Sequence, residues 1–378
     1  MEYQDARTEK SQSAWKLTPE TFGPLWKYID KEETTDVEWD SDSLWVINTD
    51  DIRTRINDPE IDEKFIERFA YLIANHANKQ FSRHHRVLEA ETENLRIQCV
   101  HPEFCVSGLS MSIRKSSPKL RFTAAEAIEK GYCNEKILHL LVNCVQSHLN
   151  ILVQGEPGHG KTEMAKFSSS FIPKDEKVIT VETAREWHYS KINPGARHRE
   201  YIVNQNVGDK VLDLGEQYSM AIKTILQSNP DWAMLAEARS REIVAFFECL
   251  STGVCGISTI HTDDVRNLEE RACSMTGNAV EEMVLRRKIG MFSNVGVLMR
   301  KEKMPDGKKK RVVAQVCFYT RENEQNVCHM IYEDGKVYEE NIPEKFKKIM
   351  KRHGIEDPFT SKALLDRIVI EKEISCDE

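Results

Sequence analysis

Asn150-Ile151-Leu152-Val153-Gln154-Gly155-Glu156-Pro157-Gly158-His159-Gly160-Lys161-Thr162 passes from an apolar stretch through a glycine-rich turn and into Glu163-Met164-Ala165-Lys166-Phe167. The pattern predicts a buried strand, a tight loop and the first turn of a helix. Such a loop directs several backbone N–H groups at the β- and γ-phosphates of a nucleotide, where the helix dipole also favours negative charge. On this reading Gly155, Gly158, His159, Gly160 and Glu163 shape the binding loop and the helix start. Lys161 neutralises phosphate charge, and Thr162 binds Mg²⁺.

Working outward, 378 residues exceed one ordinary core, so two domains are expected. A hydrophobic share of 40% and a charged share of 30% describe a soluble globular chain. No apolar run approaches the roughly 18 residues needed to cross a bilayer. The most apolar candidate, Ile137 to Val145, contains His139 and Asn143. Met1-Glu2-Tyr3-Gln4-Asp5 has neither the basic region nor the apolar core of a signal peptide, so a cytoplasmic location is expected, with any membrane association peripheral. The 10 cysteines include no CxxC pair, which reads as isolated thiols and gives a zinc site no ligand spacing. A net charge of −8 argues against direct nucleic-acid binding. Lys308-Lys309-Lys310-Arg311 follows Pro305-Asp306-Gly307 and reads as a solvated hairpin turn.

The chain divides by pattern into a lead-in at 1–30, an α/β domain at 31–122, a linker and helix at 123–149, and a larger domain at 150–378. Trp15, Phe22 and Trp26 suggest a short lead-in helix. Asp36 to Asp40 and Leu44 to Ile47 alternate around Ser41-Asp42-Ser43, a β-hairpin pattern. Phe65, Phe69, Leu72 and Ile73 are spaced for a helix over 61–77, and strands are expected at 95–100 and 109–114. Thr123-Ala124-Ala125-Glu126 reads as a helix cap. From Asn150, near-continuous apolar strands at 150–154, 178–181, 232–236, 256–260 and 295–299 are separated by helices at 161–171, 218–227 and 242–250. That alternation calls for a mostly parallel sheet covered on both faces. Antiparallel strands at 312–319 and 327–338 and a closing helix at 343–353 complete the expected fold.

A phosphate loop needs a group to orient the attacking water. Glu237 stands at the carboxyl end of Trp232-Ala233-Met234-Leu235-Ala236, the sheet edge where ligand groups of open α/β sheets gather, and Arg239 follows it closely. A lone glutamate there would more often cap a helix. After a phosphate loop it reads as a catalytic carboxylate.

The run Gln227 to Glu242 resembles the second nucleotide-binding segment of the secretion ATPase superfamily, the hexameric motors of type II and type IV secretion, pilus assembly and conjugation. Three further blocks agree. Val178-Ile179-Thr180-Val181-Glu182 through Glu186 looks like the family's acidic box, and Ser251-Thr252-Gly253 through Ser258-Thr259-Ile260-His261-Thr262 resembles its histidine box. Arg96-Ile97-Gln98 with Ser112-Ile113-Arg114-Lys115 is similar to the arginine-bearing strands of the amino-terminal domain in the type IV branch. The resemblance spans Asp36 to Tyr319.

It implies a small α/β domain joined to a RecA-like domain and an ATP hydrolase using Mg²⁺. Lys161 and Thr162 match the phosphate and magnesium ligands. Glu237 matches the catalytic glutamate, and Glu182 and Glu186 match acids that support the metal directly or through water. Arg96 and Arg114 match arginines that reach the nucleotide, where they stabilise charge developing in transfer. His261 matches a reporter of the γ-phosphate. Implied partners are five further copies in a homo-hexamer and inner-membrane components of a secretion, conjugation or pilus machine, met at the cytoplasmic face. This sequence departs from the family in having Thr183 in place of an acid, Glu156 and His159 where small residues are usual, and Val254 in place of a histidine. A type IV secretion or conjugation ATPase is the preferred reading. A tight-adherence pilus motor, a nucleotide-gated adaptor with little turnover and a DNA translocase are the alternatives.

Overall fold

Alternation of buried and exposed side chains builds the amino-terminal sheet from hairpins. The computed structural model describes residues 18–203, 206–207, 210–211, 214–238, 242–304 and 308–377, and the chain divides after Ser117 into two compact units. In the first, two single-turn helices, α1 (Pro19–Phe22) and α2 (Trp26–Ile29), are separated by a 3₁₀ turn at Gly23–Leu25. Pro24 lacks the N–H that an unbroken helix would use, so one continuous helix is not formed. Trp15 lies outside the described residues. Then come β1 (Thr34–Asp40), β2 (Leu44–Asn48), β3 (Arg53–Ile56), α3 (Glu63–His76), β4 (Val87–Glu91), β5 (Leu95–Val100) and β6 (Ser110–Lys115).

The six strands are ordered β3-β2-β1-β6-β5-β4 and every pairing is antiparallel. The mixture of helix and strand expected here takes the form of a helix packed on an antiparallel sheet. Asp62 caps α3 by accepting from the Phe65 N–H at 2.8 Å. Ile66, Phe69 and Ile73 then bury against Val37, Trp39, Ile97 and Ile113 of the sheet, with Phe22 and Leu25 closing the same core. The strands β3 and β4 escape the sequence pattern because Arg53-Thr54-Arg55 is exposed on both sides and Val87 faces solvent.

The second unit alternates helix and strand: α4 (Ala124–Glu129), α5 (Glu135–Gln146), β7 (Ile151–Gln154), α6 (Lys161–Ser169), β8 (Val178–Glu182), α7 (Tyr189–Ile192) and β9 (His198–Ile202). A two-residue ladder of β10 (Asn206–Val207) and β11 (Lys210–Val211) follows, then α8 (Leu214–Gln227), β12 (Trp232–Ala238), α9 (Glu242–Leu250), β13 (Cys255–Ile260), α10 (Leu268–Cys273), α11 (Ala279–Phe292) and β14 (Val295–Lys303). The last elements are β15 (Lys309–Glu322), β16 (Gln325–Glu333), β17 (Lys336–Val337), α12 (Glu344–Arg352) and α13 (Lys362–Asp377).

Nine strands form one sheet, β17-β16-β15-β14-β7-β13-β12-β8-β9. From β14 to β9 neighbours are parallel, and from β14 to β17 they are antiparallel. All four residues of β7 are buried because both faces are covered. Ile151 and Val153 join one core with Leu141 of α5 and Met164 of α6, while Leu152 joins the other with Phe246 and Leu250 of α9. The capping box read at Thr123 forms: the Glu126 N–H donates to Thr123 Oγ1 at 3.1 Å and the Thr123 N–H to Glu126 Oε2 at 2.9 Å. The polar residues of the apolar α5 hold the chain end. Asn143 Nδ2 donates to the Pro358 carbonyl at 2.9 Å, and His139 Nδ1 accepts from the Ser361 N–H at 2.9 Å.

The lysine-rich run lies at the solvated hairpin that its composition suggests, but most of it is strand and not turn. Lys309, Lys310 and Arg311 are the first residues of β15, paired with Glu302, Lys301 and their neighbours on β14, and 305–307 lie outside the described residues.

A Cβ on Gly256 would meet Leu250 Cδ2 at 2.5 Å and Phe246 Cζ at 2.7 Å, so α9 packs on β13 through a space only glycine leaves. Gly256→Ala is expected to cost about 1–3 kcal/mol by overpacking. Urea unfolding should show a lowered midpoint with an unchanged slope.

Candidate nucleotide site

The sheet order puts the carboxyl ends of β7, β13, β12 and β8 side by side along one edge, with β7 at the point where successive connections change direction. Ligands of open α/β sheets bind at such a point. β7 ends at Gln154, and the loop that follows turns back on Gly155 at φ 144° and enters α6 through Gly160 at φ 91°. Side chains rarely adopt either conformation, and a Cβ on Gly155 would lie 2.5 Å from the Met299 carbonyl oxygen.

Lys161 is the first residue of α6 and is buried. Its Nζ donates to the Glu156 carbonyl at 3.1 Å and lies 3.1 Å from His261 Nδ1. His261 follows β13, and its Nε2 meets Glu237 Oε1. A proton on Nε2 would face that carboxylate and leave the Nδ1 lone pair for the Lys161 ammonium. The Gly155 carbonyl oxygen is 3.2 Å from the same nitrogen. Lys161, His261 and Glu237, drawn from three separate stretches of sequence, therefore form one chain of contacts at the mouth of the loop.

Glu237 reaches this position through an irregularity in β12. Leu235 pairs with Ser258 and Ala238 with Ile260, so two residues on β12 oppose one on β13. A bulge of this kind re-aims a side chain. The displaced Ala236 carbonyl is satisfied by Thr259 Oγ1 at 2.6 Å.

The other sequence-derived residues are placed as follows. Glu156 turns its carboxylate outward, 65% exposed, with His159 Nε2 at 3.5 Å. His159 Nδ1 sits 3.2 Å from the Met299 carbonyl, and burial, opposed by that hydrogen bond and reinforced by the Lys301 and Lys161 charges, lowers its pKa. Thr162 is half-buried at the start of α6. Glu163 accepts from Lys166 Nζ at 3.1 Å and has Arg121 Nε at 3.7 Å.

Glu182 ends β8 fully buried, and its Oε2 accepts from the Glu186 N–H at 2.7 Å and the Trp187 N–H at 3.0 Å. Burial raises its pKa to about 7 against the opposing pull of those two amides. Glu186 is half-buried and Thr183 is exposed in the same turn. Val254 precedes β13 and so stands at the opposite sheet edge from Lys161. Arg239 lies outside the described residues.

In the first unit Arg96 and Arg114 are directly opposite one another on β5 and β6. The next partners outward are Glu91 and Asp36, and Arg114 Nε donates to Asp36 Oδ1 at 2.9 Å. The row therefore reads acid, arginine, arginine, acid across four strands, with the Arg114 side chain 67% exposed.

Residues 73–345 match the family model described as type II/IV secretion system protein. The chain belongs to that family. Among its relatives is an uncharacterized protein of Bacillus anthracis, 26% identical over 81% of this chain and 70% of that one. Another is the type IV secretion system protein VirB11 of Bartonella henselae, 24% identical over 54% of this chain and 66% of that one. The solved ATPase DotB of Yersinia pseudotuberculosis aligns with a TM-score of 0.56 at 12% identity, covering 82% of this chain and 81% of that one, and so shares its fold.

Within this secretion-system chain several residues around the site carried no motif. Gln154 Nε2 donates to the Tyr319 hydroxyl at 2.8 Å, which donates onward to the Val265 carbonyl at 2.6 Å. Thr262 Oγ1 donates to Gln154 Oε1 at 3.0 Å. These buried contacts fix the segment that follows His261. No spacing rule links Gln154 to Tyr319, because β7 and β15 meet only through β14.

Proposed function

We propose that this chain is a P-loop ATPase that energises a type IV secretion or conjugation-type machine. The contact chain from Lys161 through His261 to Glu237 carries the reading. It joins the residue suited to neutralising phosphate charge to a carboxylate able to orient water, through an imidazole that touches both. With ATP in the loop, Lys161 exchanges the Glu156 carbonyl and His261 for phosphate oxygens, so the two sides of the site respond to the same event.

Magnesium fits the donor set in part. The Thr162 hydroxyl at the start of α6 suits a hard cation that also takes phosphate oxygens and water. Glu182 has one oxygen committed to its own loop, so it would serve through its other oxygen or through water, as would Glu186. The ion, when bound, would offset the phosphate charge.

Arg96 and Arg114 are proposed to act on the bound nucleotide, so that hydrolysis drives closing and opening of the amino-terminal unit in a homo-hexamer at the cytoplasmic face of the membrane. The implied partners are inner-membrane components of the machine. Steady-state phosphate release by the purified chain tests the reading. Substantial turnover supports it, whereas ATP retention without turnover favours a nucleotide-gated adaptor. Arg114→Ala should reduce turnover by about 10- to 100-fold while changing ATP affinity less than threefold, as befits a group that stabilises developing charge. Equal losses in kcat and in affinity, measured by phosphate release and equilibrium titration, would contradict the assignment.

A further inference from the structure

The hairpin of β14 and β15 brings two cations against the phosphate loop. Lys301 and Arg311 are directly opposite one another across the two strands. Arg311 Nε donates to the Gly158 carbonyl at 3.0 Å. A Cβ on Gly160 would lie 3.0 Å from Arg311 Cδ, and one on Gly158 would lie 3.2 Å from Lys301 Nζ. Both basic side chains thus occupy the space that two glycines of the loop leave open. Like charges directly opposite one another on a sheet repel. Two like charges on one side of the loop favour a polyanion held by it.

We propose that Lys301 and Arg311 are positioning residues of the nucleotide site, a basic brace whose natural complement is a nucleoside polyphosphate. Arg311 fixes the backbone around Gly158 in the shape that turns the loop's N–H groups inward. The two charges together raise the local potential felt by the phosphates. The guanidinium matters for its directed Nε–H as well as its charge, so lysine is not an equivalent. This inference rests on the ATPase reading and adds to it two residues from a hairpin to which the sequence reading gave no part in the site.

The test is equilibrium titration of a fluorescent ATP analogue with magnesium into the full chain, its Arg311→Ala, Arg311→Lys and Lys301→Ala variants, alongside steady-state kinetics and thermal melts. Arg311→Ala should weaken binding about tenfold, equivalent to about 1.4 kcal/mol. KM should rise by a similar factor, kcat should stay within about twofold, and the melting temperature should shift by no more than about 4 °C. Arg311→Lys should recover only part of the affinity, and Lys301→Ala should lose about threefold. Wild-type binding with unchanged Arg311→Ala affinity overturns the brace alone, as does full recovery in Arg311→Lys. A wild-type chain that retains no nucleotide overturns the ATPase reading and the brace with it.

Discussion

Lys161→Ala is expected to remove nucleotide binding and turnover together, with phosphate release falling by at least about 100- to 1,000-fold. The side chain is buried at the start of α6, where it makes contact with a loop carbonyl and His261. Alanine takes away the positive charge nearest the expected β- and γ-phosphates and puts nothing in its place. The loop would keep its backbone N–H groups, but these carry partial charge only. Fold should survive, because the Glu156 carbonyl and His261, which lose this partner, sit at the rim of the site. Equilibrium titration with an ATP analogue and a phosphate-release assay check both halves. Retained turnover would remove the loop from the mechanism.

Glu237→Gln should separate binding from chemistry. Glutamine keeps the length and offers an oxygen to His261 Nε2, so the contact chain to Lys161 persists. It lacks the charge and basicity to draw a proton from water. Turnover is expected to fall about 100- to 10,000-fold while ATP affinity holds within a few-fold. Single-turnover kinetics with saturating ATP would show the loss in the chemical step. A loss in affinity alone would reassign the carboxylate to binding.

Much of this was legible because two kinds of signal coincide in the second unit. Near-continuous apolar runs such as Ile151-Leu152-Val153 announce strands buried on both faces, and the glycine pattern that follows restricts what one of them can carry. Strand-end position pointed to Glu237 and motif resemblance added His261, each as a separate residue. Their contact was not legible, since it depends on a bulge at Ala236 and Glu237 that register alone creates. The lysine run was read by composition as a solvated turn, yet pairing with β14 turns Arg311 onto the phosphate loop. The edge strand β9 was missed because His198, Arg199 and Glu200 face solvent and leave no alternation. The last helix, α13, was missed because Leu365, Val369, Ile370 and Ile374 are exposed and blur any single apolar face.

The pairing of β7 has a consequence for synthesis. Its four residues are satisfied on one side by Ile257 to Ile260 and on the other by Val295 to Leu298. As the chain leaves the ribosome, the strand that ends in the phosphate loop waits for about a hundred residues before its first neighbour exists, and for some forty more before its second. Until then a short, largely apolar edge stands open to chaperones and to other nascent chains, and no grip on a nucleotide can form. Pulse-labelled translation intermediates ending before residue 295 should accordingly be protease-sensitive around Ile151 and be protected once β14 has emerged.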